Sequence, residues 1–409
     1  MVYPQMQHLT VKTISISWLV LLFTTYPAIA QRTSSPDKFP PNPIELRVKD
    51  PLLPNPPKPN QQLTPEEAQR LNTALDSLHQ EAIAKYQSGD KVSAYETWNR
   101  ELRLRKYLGA NNEVQALTRV GQIAWSDPNR EQVFFITQRL QKILNNATTT
   151  QNNDLELWRG LANAFQAVRS PKPALEALAK VLAGVRGTEA ELTTLRQIGD
   201  LHMSWFDYTN AANTYREILN KITATGDRQS IIANLRQLAY IYDQGKQPQQ
   251  AVEIKTKLVE LYQQENNIVD IPRLRTAIAA DLETLAKDNP ALLDQAFENY
   301  QIAYTIAWQN EQYATAGEVL RQLIALYRKQ GQLDDALKTS EILLEAETRA
   351  ANLYEVMNAY EQIGEIHLQQ QNKPQALTAF QKGLEIARIL QHNQDYFSQQ
   401  IQSLSTPPQ

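Results

Sequence analysis

Two short stretches, "IGDLH" at 198–202 and "IGEIH" at 363–367, each place an acidic residue two positions before a histidine. Such a pair could ligate a metal ion or serve as an acid and a base. On a helix, however, Asp200 and His202 point about 200° apart, so one ion cannot easily reach both side chains. We therefore predict no metal site here, and expect His202 and His367 to pack between helices with a polar tip.

The rest of the chain carries no motif of a known catalytic centre. GxSxG, HExxH, the phosphate-cradling GxxxxGK and GxGxxG are all absent, and there is no cysteine to act as a nucleophile or thiolate ligand. The histidines after residue 30 are scattered at 79, 202, 367 and 392. We predict a non-enzymatic protein without a catalytic site, metal or cofactor.

The composition favours helices. Hydrophobic residues make up 42% of the 409 positions, whereas only 13 are glycine. Folds built on many tight turns need more glycine, so we expect an all-α protein. The formal net charge of −3 gives no reason to expect a nucleic-acid partner.

The N-terminus is typical of an export signal. An apolar run from Ile14 to Ala30 ends in the small residues Ala28 and Ala30. An uncleaved anchor is the alternative, but the run falls short of the ~20 apolar residues that span a bilayer. We expect residues 1–30 to be a signal peptide cleaved before Gln31, and the protein to reach a bacterial periplasm or another extracytoplasmic compartment.

A proline-rich segment follows, at residues 31–64. Ten of the chain's 21 prolines lie between Pro36 and Pro65. Such density favours extended polyproline II of about 3 Å per residue, and predicts a disordered spacer. Thr64 and Pro65 then have the residue types of a helix N-cap and first helical position.

Beyond residue 65 the sequence repeats with a period near 40 residues. Small residues recur twelve positions before an alanine, and each unit shows two helical patterns around a short polar turn. The second small residues are Ala94, Ala174, Ala211, Ala251, Ala296, Ala336 and Ala376. A weaker unit, from Gly121 to Val133, fills the gap after Ala94. We predict about eight helix pairs over 65–395, followed by a C-terminal tail at 396–409.

At these residues the chain resembles the tetratricopeptide repeat family in its long-period bacterial form. The pattern of a small residue, an aromatic residue, an alanine and a large apolar residue is present in "LANAFQAVRSPKPALEALAKVL" and "IGEIHLQQQNKPQALTAFQKGLEIA". The resemblance implies a right-handed α-solenoid, or superhelix, of stacked helix pairs. The layout is also similar to extracytoplasmic tetratricopeptide factors of oxygenic photosynthetic bacteria, some of which assist photosystem assembly, which adds the thylakoid lumen as a candidate compartment.

The same resemblance implies that the first helix of each pair lines a concave groove, with repeat positions 2, 5, 9 and 12 facing a ligand. Position 5 is occupied by His79, Thr118, Arg159, Arg196, Arg236, Thr276 beside Arg275, Arg321 and Glu361. Four arginines at one position would form a ladder able to pair with carboxylates. Asn163 with Arg159 also matches the family's carboxylate clamp, although Gln197 and Gln237 stand where the clamp has its asparagine and arginine at position 6, and Ala233 stands where it has lysine.

Two interpretations of this ladder stay open. External binding would use Arg159, Asn163, Arg196, Arg236 and Arg321 to hold an acidic segment or a C-terminal carboxylate. Internal neutralisation would instead pair the arginines with Glu156, Asp200, Asp243 or Glu318.

We expect an exported scaffold with an assembly or chaperone-like role that binds a protein or peptide, and that contacts a membrane only through a membrane-protein partner. The alternatives are a self-associating spacer or tether without a peptide ligand, and a photosystem-assembly factor. We expect the basic cluster "RELRLRK" at 100–106 to be a solvated helix end that complements the helix dipole, rather than a patch for an acidic partner.

Overall fold

The computed structural model describes residues 40–58 and 61–405, and these ranges contain seventeen α-helices and one short 3-10 helix, Lys106–Leu108. All of them belong to one compact unit, residues 43–409. The predicted signal peptide lies outside the described residues. The first helices of eight pairs are α1 Pro65–Gln87, α3 Ala110–Ser126, α5 Leu155–Ala167, α7 Ala190–Ser204, α9 Arg228–Gln244, α11 Ile271–Leu285, α13 Tyr313–Lys329 and α15 Leu353–Gln369. The second helices are α2 Lys91–Arg105, α4 Arg130–Thr149, α6 Pro171–Val185, α8 Tyr208–Thr225, α10 Pro248–Gln264, α12 Leu292–Gln309, α14 Leu333–Arg349 and α16 Lys373–Leu390, and α17 is Gln394–Ser405.

Each helix packs against the next along the chain, and α3 and α11 also contact the first helices of the following pairs, α5 and α13. The first helix begins as predicted. The Thr64 hydroxyl accepts from the Glu67 backbone, the Glu67 carboxylate accepts from the Thr64 backbone, and Pro65 occupies the first turn. The fold is therefore the all-α solenoid that the sequence predicts.

The repeated small residues mark where paired helices touch. All seven alanines of the sequence repeat are completely buried, near the start of a second helix. In "IGDLH" and "IGEIH" the glycine permits the contact: a Cβ on Gly199 would lie 2.6 Å from the Tyr215 ring, and one on Gly364 would lie 2.7 Å from the Phe380 ring. The glycines are needed because the aromatic ring of the second helix occupies the space of a side chain.

The weaker unit around Gly121 and Val133 is a helix pair, α3 and α4. Val133 is the fourth residue of α4, the place that Ala94 takes in α2 and Ala174 in α6. A Cβ on Gly121 would meet Val168 at 2.8 Å, so this glycine also serves close packing. Valine in place of alanine hides the repeat from the sequence without changing its geometry.

The proline-rich segment differs from the predicted disordered spacer over residues 43–58, which lie against the solenoid. Ile44 is only 2% exposed and belongs to the main core. Arg100 of α2 donates two hydrogen bonds of 2.8 Å to the Asp50 carboxylate, and Arg103 donates one to the carbonyl of Pro43. Proline removes backbone donors, but it does not prevent side chains from packing, and here one buried apolar residue and one bidentate ion pair hold the segment.

The C-terminus also departs from the predicted tail, because residues 394–405 form α17. Phe397 is completely buried, and a Cβ on Gly383 of α16 would lie 2.3 Å from its ring. This helix covers the apolar face that α16 would otherwise expose, as the end of a solenoid requires. Residues 406–409 lie outside the described part of the chain.

The basic cluster at 100–106 is not the solvated helix end that the sequence predicts. Besides the contacts of Arg100 and Arg103 to the N-terminal segment, Arg105 is 2% exposed and donates to Glu101 and Asp76. The Glu101 carboxylate is itself buried and is also hydrogen-bonded to Nδ1 of His79 at 2.9 Å. These residues organise the N-terminal end of the solenoid.

None of the helices within the described ranges is long and apolar enough to cross a membrane.

Candidate partner-binding surface

The first histidine motif has structural partners, whereas Nδ1 of His367 in the second is buried without a hydrogen-bond partner among the described residues. Nδ1 of His202 lies 3.0 Å from the carboxylate of Asp207, in the turn after α7, while the Tyr215 hydroxyl donates to Asp200 at 2.5 Å. Burial and the bond to Asp200 raise the pKa of Tyr215, which keeps this donor protonated. Within residues 40–58 and 61–405, no three histidine and carboxylate side chains lie close enough together to hold a metal ion.

The arginines predicted to form a ladder occupy equivalent places on the first helices. Arg159, Arg196 and Arg236 are exposed on α5, α7 and α9, and Arg321 of α13 is half-buried. Side chains at the same repeat position face the same side of a stack of helices. The structure nevertheless gives these four residues different surroundings.

Arg159 and Asn163 line one depression of about 220 Å³ between α3 and α5, together with Asn111 and Gln115. Glu156 borders the same depression but makes no ion pair with Arg159. A guanidinium and three side-chain amides thus converge on one opening, which suits a carboxylate or an extended backbone.

Arg159 and Arg196 have no carboxylate partner among the described residues. The acid nearest to Arg196 in sequence, Asp200, accepts from Tyr215 instead. An exposed guanidinium with no internal partner keeps all its donors available to a ligand. These two residues support external binding.

Arg236 and Arg321 are held internally, as the second interpretation of the ladder expects, although by other acids than those predicted. Arg236 donates to the Tyr262 hydroxyl at 2.5 Å, stacks over its ring at 5.4 Å and lies 3.6 Å from Asp270. Arg321 donates to Glu347 and, at 3.3 Å, to Glu355. Burial raises the pKa of Glu347, although the bond from Arg321 opposes that shift.

Two exposed aromatic side chains on the first helices were not predicted as site residues, because they do not lie at repeat position 5. Trp125 of α3 is 48% exposed and Tyr240 of α9 is 50% exposed. The guanidinium of Arg169 lies 5.9 Å from the Trp125 ring, and Asn163 and Trp125 border a second depression of about 570 Å³. Counting on to positions 9 and 12, which the family also directs to the ligand, would have found both aromatic residues.

Residues 315–389 match the family model described as tetratricopeptide repeat. Over this range the chain is similar to tetratricopeptide repeats. The matched range runs from α13 into α16 and includes Arg321 and the "IGEIH" motif.

Several solved structures are similar to this chain. BtubC from P. vanneervenii is 16% identical, with a TM-score of 0.38 over 61% of this chain and 92% of the other. The apo form of RapI is 13% identical, with a TM-score of 0.41 over 67% of this chain and 76% of the other. A signal transduction ATPase with a tetratricopeptide repeat sensor from Pyrococcus horikoshii is 18% identical, with a TM-score of 0.33 over 80% and 46%. No curated protein matches the chain.

Proposed function

We propose that this tetratricopeptide repeat protein is an exported, non-catalytic scaffold that binds a protein segment bearing a carboxylate on the surface formed by α3, α5 and α7. The repeats themselves are consistent with an interaction scaffold. The observation that carries the finer proposal is that Arg159 and Arg196 have no carboxylate partner among the described residues, whereas Arg236 and Arg321 do.

The contrast among the four arginines narrows the binding surface. Arg236 and Arg321 can reach a ligand only by giving up in-chain contacts, so the centre of binding lies nearer α5 and α7. Asn163 and Gln115 supply neutral donors and acceptors beside Arg159, and the stacked pair of Trp125 and Arg169 offers an apolar face. Such a combination recognises a carboxylate together with the peptide that carries it.

The proposal is tested with fluorescent peptides that end either in a free carboxylate or in an amide. We expect the wild-type chain to prefer the free acid, and the double variant Arg159→Glu with Arg196→Glu to lose about tenfold or more in affinity, because two attractive charges become repulsive. Lys172→Glu with Lys180→Glu, on α6 of the same helix pair as Arg159, is the matched control and should bind as the wild type does.

Equal binding of acid and amide, or equal affinity of the two double variants, would contradict a carboxylate site on α5 and α7. Helical circular dichroism of each variant establishes that the fold is intact. Export is tested separately, by sequencing the N-terminus of the protein recovered from an extracytoplasmic fraction, where cleavage before Gln31 is expected. A chain that only self-associates would sediment as an oligomer and bind neither peptide.

A further inference from the structure

A cavity lies away from the first-helix surface just discussed, where the N-terminal segment meets the end of α2. It measures about 930 Å³. Its walls come from residues 46–58 and 61–63 on one side and from α2 and the 3-10 helix on the other. Six basic side chains line it: Arg47, Lys49, Lys58, Arg103, Lys106 and Arg139.

The acidic side chains do not balance this charge. Asp50 alone among the lining residues is acidic, and both of its carboxylate oxygens already accept from Arg100. Arg139 is paired with Glu113 and Glu45. No ion pair within residues 40–58 and 61–405 involves Arg47, Lys49, Lys58 or Lys106. A chain of net charge −3 therefore concentrates unpaired positive charge in one place.

The cations also act on one another. Burial lowers the pKa of Lys106, and the neighbouring charges of Arg139 and Arg47 lower it further, against the opposing effect of Glu113. Repulsion of this kind is relieved when an anion enters. The cavity thus has an electrostatic reason to bind a negatively charged ligand.

The walls are apolar as well as basic. Leu46 and Val48 are 42% and 63% exposed, and they alternate with Arg47 and Lys49 along the segment. Leu104 and Tyr107 contribute from the other wall. A phosphate-like ion would neutralise the charge but leave this apolar surface in water, whereas a peptide that alternates acidic and apolar side chains would cover both.

The cavity is held in shape before any ligand arrives. The bidentate pair of Arg100 with Asp50, the bond from Arg103 to Pro43 and the burial of Ile44 fix the N-terminal segment on the solenoid. A preformed site loses less conformational entropy on binding.

We propose that this cavity is a second binding site, which takes an extended protein segment carrying acidic residues interspersed with apolar ones. The N-terminal segment contributes one wall, and the basic end of α2 contributes the other. The site is separate from the α3–α5–α7 surface, so a scaffold could hold two segments at once.

The test measures binding of the full mature chain to a short fluorescent peptide in which glutamates flank leucines. Lys49→Glu with Lys106→Glu should lower the affinity about tenfold or more, because neither lysine has an ion pair to lose among the described residues and both would repel the ligand. Lys172→Glu with Lys180→Glu is again the matched control. Arg159→Glu with Arg196→Glu should leave this affinity unchanged, which separates the cavity from the first-helix site.

Two further probes identify the ligand class. A peptide with serine in place of leucine should bind more weakly, and inorganic triphosphate should compete poorly. No binding of the glutamate–leucine peptide, or equal binding by the lysine variants, overturns the proposal. Strong competition by triphosphate without dependence on leucine overturns it in favour of a small phosphate anion.

Discussion

Arginines at the same repeat position have different ion-pair partners in this protein. Arg196 is exposed and has no carboxylate partner among the described residues, while Arg321 bonds to Glu347, whose side chain is 1% exposed. The difference comes from the neighbouring helix, because α14 places the buried Glu347 carboxylate opposite Arg321. Repeat position therefore indicates which side of the helix a residue takes, but not whether it is available to a partner.

The first prediction concerns Arg321→Met. Removing the guanidinium leaves the buried Glu347 carboxylate without its charged donor, so we expect the free energy of unfolding to fall by about 2 kcal/mol at neutral pH. Arg196→Met, the matched control, should stay within about 0.5 kcal/mol of the wild type. Urea denaturation of both variants measures the difference, and equal losses would contradict a structural role specific to Arg321.

The same variant has a pH dependence with a defined sign. The pKa of Glu347 is already raised by burial, and loss of Arg321 raises it further. A carboxyl group whose pKa is higher in the folded than in the unfolded state destabilises the fold as pH rises through that range. The loss in free energy of unfolding caused by Arg321→Met should therefore become smaller between neutral pH and about pH 5. A loss that grew on acidification would show that the Glu347 carboxylate does not cause it.

At the scale of helices, the contact between a glycine and an aromatic ring recurs. Gly199 faces Tyr215, Gly364 faces Phe380 and Gly383 faces Phe397. The first two contacts join the helices of one pair, and the third joins α16 to α17. Small residues at these crossings let the helix backbones approach while the ring fills the space beside them.

The second prediction is Gly364→Ala. The new Cβ would lie 2.7 Å from the Phe380 ring, so α15 and α16 must move apart. We expect a loss of about 1–2 kcal/mol in thermal or urea unfolding, even though alanine has the higher helix propensity. Phe380→Leu in the same background should recover part of the loss. A more stable single variant would mean that propensity outweighs packing at this crossing.

At the scale of the whole unit, both ends of the solenoid are covered. The segment at 43–58 packs on the N-terminal repeats through Ile44 and Asp50, and α17 covers α16 through Phe397. Terminal repeats lack one neighbour, so they would otherwise expose apolar surface. The N-terminal cover also builds one wall of the basic cavity, which links stability at that end to the binding that we propose there.

The third prediction is that Asp50→Asn releases the N-terminal segment while the solenoid stays folded. Loss of the bidentate pair with Arg100 should increase tryptic cleavage after Arg47 about tenfold, because the segment opens more often. Asp288→Asn, an exposed residue elsewhere, is the control and should leave cleavage unchanged. An unaltered cleavage rate in Asp50→Asn would show that the ion pair does not hold the segment.

The pH at which the Asp50–Arg100 ion pair is lost depends on the pKa of Asp50. The hydrogen bonds from Arg100 hold the pKa of its carboxyl group below the usual value, against the effect of burial. A depressed pKa means that the ion pair stabilises the docked segment above the unfolded value and is lost as the pH falls through the lowered one. Tryptic protection should thus persist at neutral pH, and acid-induced release, followed by digestion with the acid protease pepsin, should require a pH below the usual carboxyl range.

The sequence by itself determined the all-α class, the repeat period and the buried alanines, since these depend on residues within one helix pair or on adjacent pairs. Even the "IGDLH" and "IGEIH" motifs could be assigned to packing, because Gly199 and Gly364 face aromatic residues at a fixed distance along the chain. Contacts of this kind recur with the repeat, so periodicity alone reveals them.

Only the tertiary structure decided which arginines are free, where the proline-rich segment lies and that the chain continues into α17. Arg321 meets Glu347 and Asp50 meets Arg100 across helices or segments that the repeat pattern does not relate. Such contacts occur once and depend on the exact placement of side chains, which leaves no periodic signal. The binding surfaces that we propose depend on those single contacts, because a charge is available to a partner only where the fold has not already paired it.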